Sequence, residues 1–102
     1  MTRSELAKMI DHTILRADAA QGDVATLCDE AVHQGFAAVS INPAWVSFCA
    51  KKLEGAGVLV NATIGFPLGA NTAAVKVAEA RDAVKNGATE LDMVINVGAL
   101  KS

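Results

Sequence analysis

Apolar residues along this chain recur in two rhythms. Four short runs alternate residue by residue: MIDHTIL (9–15), FAAVSIN (36–42), LVNATIG (59–65) and ELDMVIN (90–96). That period, with its branched residues, predicts β-strands. Between them lie three segments with helical spacing. Val24, Leu27, Cys28, Ala31 and Val32 form one stripe; Trp45, Val46, Cys49, Ala50 and Leu53 form a second, with Pro43 in the first turn and Asn42 as its cap. Ala73, Val77, Ala80 and Val84 form a third, capped by Asn71 or Thr72. Each helix runs out at glycine (Gly35, Gly55 and Gly57, Gly87), and a short leading helix is expected around Ser4 to Met9. Strands separated by helices with short links imply parallel strands joined by right-handed crossovers, an α/β fold.

Alternation also divides each strand between two faces. One set is nearly all apolar: Ile10, His12, Ile14; Val39, Ile41; Val60, Ala62, Ile64; Leu91, Met93, Ile95. This set should receive the helices. The other is small and polar: Asp11, Thr13; Ser40, Asn42; Asn61, Thr63; Asp92, Asn96. A parallel sheet covered on both faces reads instead as continuous apolar runs. The polar set therefore lines a site on the inside of a barrel wall, or else simply meets water. Asp92 sharpens the choice, because a carboxylate within an apolar strand needs solvent or a partner.

Composition narrows the picture. At 102 residues the chain makes one small unit, 1–102, with 52% hydrophobic residues for a core. Its net charge of −2 comes from mixed signs, without a basic run, and it has three Phe and one Trp, so nucleic-acid binding has little support. MTRSELAK lacks a hydrophobic signal core and the apolar runs are strand-sized, so no membrane association and a cytoplasmic setting are expected. Cys28 and Cys49 fall at apolar helix positions and read as reduced, buried thiols.

The motifs IDHTIL, INPAWV, TIGFPLGAN and KVAEARDAVKNGATELDMVINVGALKS resemble, in order and spacing, the N-terminal part of the 2-deoxyribose-5-phosphate aldolases. The resemblance implies a partial (β/α)8 barrel: a half barrel of about four parallel strands with helices on one face. It also implies a class I aldolase without metal or cofactor, which cleaves and forms a small phosphorylated sugar through a lysine Schiff base. Asp92 matches the family's proton-relay aspartate. Asp11 and Thr13 match positions facing the site, and Ser40 sits where some members carry a cysteine near the substrate aldehyde. The Schiff-base lysine, its activating neighbour and the phosphate loops of the family correspond to segments beyond Ser102, so none is expected in this chain.

The remaining candidates read structurally. Lys51, Lys52, Lys76 and Lys85 fall on helix sides that should face water, as Lys8 precedes the first strand and Lys101 follows the last. GFPLGAN (65–71) lacks the Gly-Lys-Ser/Thr ending of a nucleotide loop and suits a tight strand-to-helix turn. His33 is expected on the surface, and His12 packed on the helix side. Two open sheet edges should seek a partner, and four strands plus four make eight. A homo-oligomer, with two copies pairing their edges, is therefore expected. The alternative to an enzyme portion is a non-catalytic, self-associating half-barrel module.

Overall fold

Every alternating run becomes a strand, and every helical segment a crossover. The computed structural model describes residues 1–102. Helix α1 (Arg3–Ala7) leads into strand β1 (Asp11–Ile14), helix α2 (Gln21–Gln34) and strand β2 (Ala38–Ile41). A 3-10 turn (Pro43–Trp45) runs into helix α3 (Val46–Lys52), followed by strand β3 (Leu59–Ile64), helix α4 (Ala73–Lys85), strand β4 (Glu90–Met93) and a short helix α5 (Val97–Lys101). The strands are all parallel, in spatial order β1-β2-β3-β4. No helix is long and apolar enough to cross a membrane.

The core forms where the apolar strand set meets the helices. Val24, Leu27, Cys28 and Ala31 of α2 and Val46, Cys49 and Leu53 of α3 pack on Val39, Ile41, Val60, Ala62 and Ile64. Burying each of the larger side chains contributes about 1.5–3 kcal/mol. Val32, expected on the α2 stripe, points largely outward. His12 is packed on the helix side as expected, its Nε2 3.0 Å from Glu30 Oε1 and its ring 5.0 Å from that of Phe36.

The fourth strand departs from expectation. Leu91, Met93 and Ile95 belong to the set that should receive helices, yet Met93 is 64% and Ile95 53% exposed, with Val77 and Val84 of α4 open beside them. Nothing in the chain covers that side of β4. The strand also stops at Met93 instead of running to Asn96. Val94 N–H donates the last ladder bond to Ile64 O at 2.9 Å, while Asn96 Oδ1 accepts from Ala99 N–H and caps α5.

Capping differs in one place. Thr72 caps α4, its Oγ1 accepting from Val75 N–H at 3.4 Å. Asn42 makes no side-chain cap; its Nδ2 instead donates to Leu15 O at 3.2 Å, and its Oδ1 accepts from Thr63 Oγ1 at 3.4 Å. Its side chain therefore ties the ends of the first three strands together.

Candidate active site

Ser40, Asn61 and Thr63 are the buried polar residues of this chain, and all lie on the polar strand face. Ser40 and Asn61 are direct neighbours in register, as are Thr63 and Asp92. Asn61 sits between two acceptors. Its Nδ2 donates to Ser40 Oγ at 3.0 Å and to Asp92 Oδ2 at 2.7 Å. Its Oδ1 is buried and has no partner within the chain, which costs on the order of 1–3 kcal/mol. Asp92 thus has a partner within the chain, and that partner is an amide.

The face is curved. Asp11 on β1 and Asn61, Glu90, Leu91 and Asp92 line one concavity of about 280 Å³, although two strands separate β1 from β4. Three of the five are carboxylates, so the concavity favours a cationic or hydrogen-bond-donating guest. No Lys or Arg lies within 4.0 Å of the Asp92 carboxylate in this chain, whose ion pairs lie elsewhere.

The four residues singled out from the sequence fare differently. Asp92 and Ser40 are joined through Asn61, and Asp11 shares the concavity with Asp92. Thr13 is the register neighbour of Ser40, but its Oγ1 donates back to Asp11 O at 2.9 Å and hydrogen-bonds to neither Ser40 nor Asp92. The strand alternation puts Asn61 on the polar face without marking it as a site residue. The available signal was an amide in the middle of a largely apolar strand, where an unpaired polar group is costly.

Lys76 corrects another expectation. It does not simply face water: it is half-buried, and its Nζ donates to Val94 O at 2.9 Å, clamping the chain just beyond β4. Nearby, Gly65 N–H donates to Glu79 Oε1 at 2.7 Å and Gly69 N–H to Gly65 O at 2.7 Å. Those amides are already occupied, one by a carboxylate, which fits a tight turn and not a phosphate cradle. Gly69 has a φ of +66°, and a Cβ there would overlap the Ile95 carbonyl oxygen, so only glycine lets this turn lie against the β4 exit. Lys101 ends α5 in the open.

Parallel strands, helices on one face and a curved polar lining on the other define a segment of (β/α)8 barrel wall. The family model for the DeoC/LacD family aldolases matches residues 6–102, and the chain belongs to that family. It is similar to the deoxyribose-phosphate aldolases of Geobacillus sp. (strain WCH70) and Lysinibacillus sphaericus (strain C3-41), with 55% and 56% identity over 96% and 93% of this chain. Those alignments cover 44% and 43% of the relatives, so the chain spans less than half their length and corresponds to their N-terminal part. Among solved structures, a Coccidioides immitis protein provisionally assigned as a deoxyribose-phosphate aldolase superposes with a TM-score of 0.95 at 40% identity, over 99% of this chain and 40% of its own. The tetrameric deoxyribose phosphate aldolase of Aeropyrum pernix superposes with a TM-score of 0.91 at 36% identity, over 96% and 42%.

Proposed function

We propose that this chain forms the N-terminal, substrate-facing wall of an aldol-cleaving lyase acting on 2-deoxyribose 5-phosphate. The observation that carries this reading is the Asn61–Asp92 contact at 2.7 Å on the curved polar face. Asp92 is the proton-relay carboxylate. Asn61 orients it by holding Oδ2, which leaves Oδ1 to exchange a proton with substrate or an ordered water. Asp11 shares the concavity, Ser40 is joined to Asp92 through Asn61, and Thr13 is the register neighbour of Ser40 on β1. The acid-lined concavity suits the protonated nitrogen of a Schiff base. The amine itself comes from residues outside 1–102, since the lysines here are exposed, ion-paired or, for Lys76, bonded to a carbonyl. The buried free thiols fit a reducing, cytoplasmic setting.

Co-expression of this chain with the C-terminal half of a relative tests the reading. The pair is expected to release acetaldehyde from 2-deoxyribose 5-phosphate, with the activity abolished by Asp92→Asn. Borohydride trapping should add mass only to the complementing half. A stable complex that cleaves nothing, or trapping on this chain, would overturn the proposal.

A second reading rests on the uncovered side of β4. We propose that this chain also self-associates, a second copy covering the free edges and exposed apolar groups at Leu91, Met93 and Ile95. Light scattering at micromolar concentration is expected to give more than one chain's mass, and a single-chain mass would sink the idea.

A further inference from the structure

We infer that Cys28 and Cys49 form a dithiol site that closes to a disulfide on two-electron oxidation by hydrogen peroxide or a low-mass disulfide. The inference is independent of the aldolase reading. Both residues are fully buried in the core, one on α2 and one on α3, and their sulfurs lie 3.6 Å apart. A disulfide needs about 2.05 Å, a closure of roughly 1.5 Å that rotation of two short side chains can supply while the helices stay packed. Periodic helix stripes placed both cysteines on the core side; only the structure shows that they meet.

The two thiols are not equivalent. Contact with Cys49 holds the Cys28 thiol below its ordinary range, because the Cys49 S–H can donate to a Cys28 thiolate; the nearby Lys52 ammonium adds to this, against the cost of burial and the Asp29 carboxylate. The same contact and burial push the Cys49 thiol up. With Cys28 attacking and Cys49 resolving, the step balances in the same way as in the opposite order. With peroxide, the Cys28 thiolate takes one oxygen, breaks the O–O bond and releases hydroxide, leaving a sulfenic acid. The Cys49 sulfur then displaces the sulfenic oxygen, which leaves as water with the Cys49 proton. The first-formed hydroxide takes up the proton originally lost by Cys28. Two thiols and one peroxide thus give one disulfide and two waters.

Burial sets the size of the oxidant. A fully enclosed pair reacts when its cover opens, and α3 is a helix of seven residues followed by turns at Gly55 and Gly57. Small diffusible reagents can exploit that opening, whereas a folded thiol-exchange protein cannot. The closed bond ties α2 to α3 across β2, the strand that carries Ser40. A thiol reductant reverses it.

Hydrogen peroxide and, separately, diamide applied to the folded 102-residue chain, followed by alkylation and intact-mass measurement under non-reducing conditions, test the site. The expected product is a single-chain species that has lost two hydrogens and refuses alkylation, restored to two alkylatable thiols by dithiothreitol. Chymotrypsin cuts at Phe36 and Trp45, between the cysteines, so the fragments should stay joined until reduced. The oxidised chain should unfold at a higher temperature, and Cys28→Ser or Cys49→Ser should give no such product. Mapping of the unsubstituted chain decides the matter even where a serine variant folds poorly. Two thiols still alkylated after treatment, closure only in denaturant, cross-links only between chains, or a lowered unfolding temperature would each overturn the inference.

Discussion

The middle of the sheet and its fourth strand carry the same alternation and meet different surroundings. At β2 and β3 the apolar positions Val39, Ile41, Val60, Ala62 and Ile64 are covered by α2 and α3, and the polar positions Ser40, Asn61 and Thr63 are buried as well. At β4 both sets lie open, Met93 on one side and Asp92 on the other. Alternation therefore encodes which face a residue takes; what covers that face is decided by neighbouring elements. In this chain α2 and α3 supply the cover for the central strands, and α4 reaches β3 but leaves β4 bare.

The largest effects should come from breaking the covered region. Ile41→Ala or Ile64→Ala removes a fully buried side chain and should cost about 2–5 kcal/mol in urea unfolding. Met93→Ala, at 64% exposure, should cost well under about 1 kcal/mol in the same measurement. A chain of this size buries only about two-thirds of its unfolded surface, so the first loss is a large share of its stability. An equal loss at Met93 would show that its face is covered in solution, and would point directly to association there.

The polar junction between the two regions comes next. Asn61 is buried with the central strands, and its amide reaches the exposed Asp92 at 2.7 Å. Asn61→Asp replaces a donor with a second carboxylate. Like charges at that distance disfavour double ionisation, so one of the pair titrates above its ordinary range in the folded state. Protonation relieves the repulsion, so the variant is destabilised at neutral pH and recovers as pH falls. The deficit should be about 1–3 kcal/mol near pH 7 and shrink towards about pH 4. A deficit unchanged by pH would mean that lost packing, not charge, dominates.

A smaller effect is expected at Lys76. Its bond to Val94 O anchors the exit of the open strand to α4. Lys76→Met keeps the aliphatic stem and removes the donor, at about 1 kcal/mol. Amide exchange should accelerate at Val94 and at Ala99, while Ile41 in the covered region stays slow. Equal protection in the variant and the unsubstituted chain would mean that the Gly69 turn alone holds this exit.

These cases show what the sequence could and could not reveal. The four strands, their polar and apolar faces and the placement of Asp92, Asp11 and Ser40 on one shared face follow from a period of two, which is local and strongly marked. The Asn61 bridge was harder to read. It depends on register between β3 and β4 and on rotamers, neither of which a one-dimensional pattern carries. Lys76 misled for a related reason. Its helix position is solvent-directed at the backbone, but a long, flexible stem lets the ammonium reach a carbonyl 18 residues away. Likewise Asn42 stands where a helix cap belongs and spends its side chain across strands instead. Short polar side chains near strand ends have several backbone and side-chain partners within reach, and only the folded geometry selects among them.

The smallest effect should appear at the other edge of the sheet, which differs from β4 in having a helix beside it. Ala7 of α1 is buried, and Leu6, Ala7, Ile10 and Phe36 line a shared groove beside β1. Helix α1 has only five residues and depends on its cap: Glu5 N–H donates to Thr2 Oγ1 and Thr2 N–H to Glu5 Oε1, both at 3.1 Å. The Thr2 hydrogen bonds hold the Glu5 carboxyl below its ordinary value of 4.5. A folded-state value below the unfolded one contributes stability above the unfolded value and loses it as pH falls through the folded one. Helix α1 should therefore fray as the solution is acidified below pH 4.5, while the α2 and α3 core holds. Backbone amide shifts of Thr2 and Glu5 followed by NMR would report it. Glu5→Gln keeps an acceptor oxygen and should be flat over the same range. If that variant frays in step with the unsubstituted chain, the cap is not the cause, and the protection of the β1 edge must come from the packing of Ala7 instead.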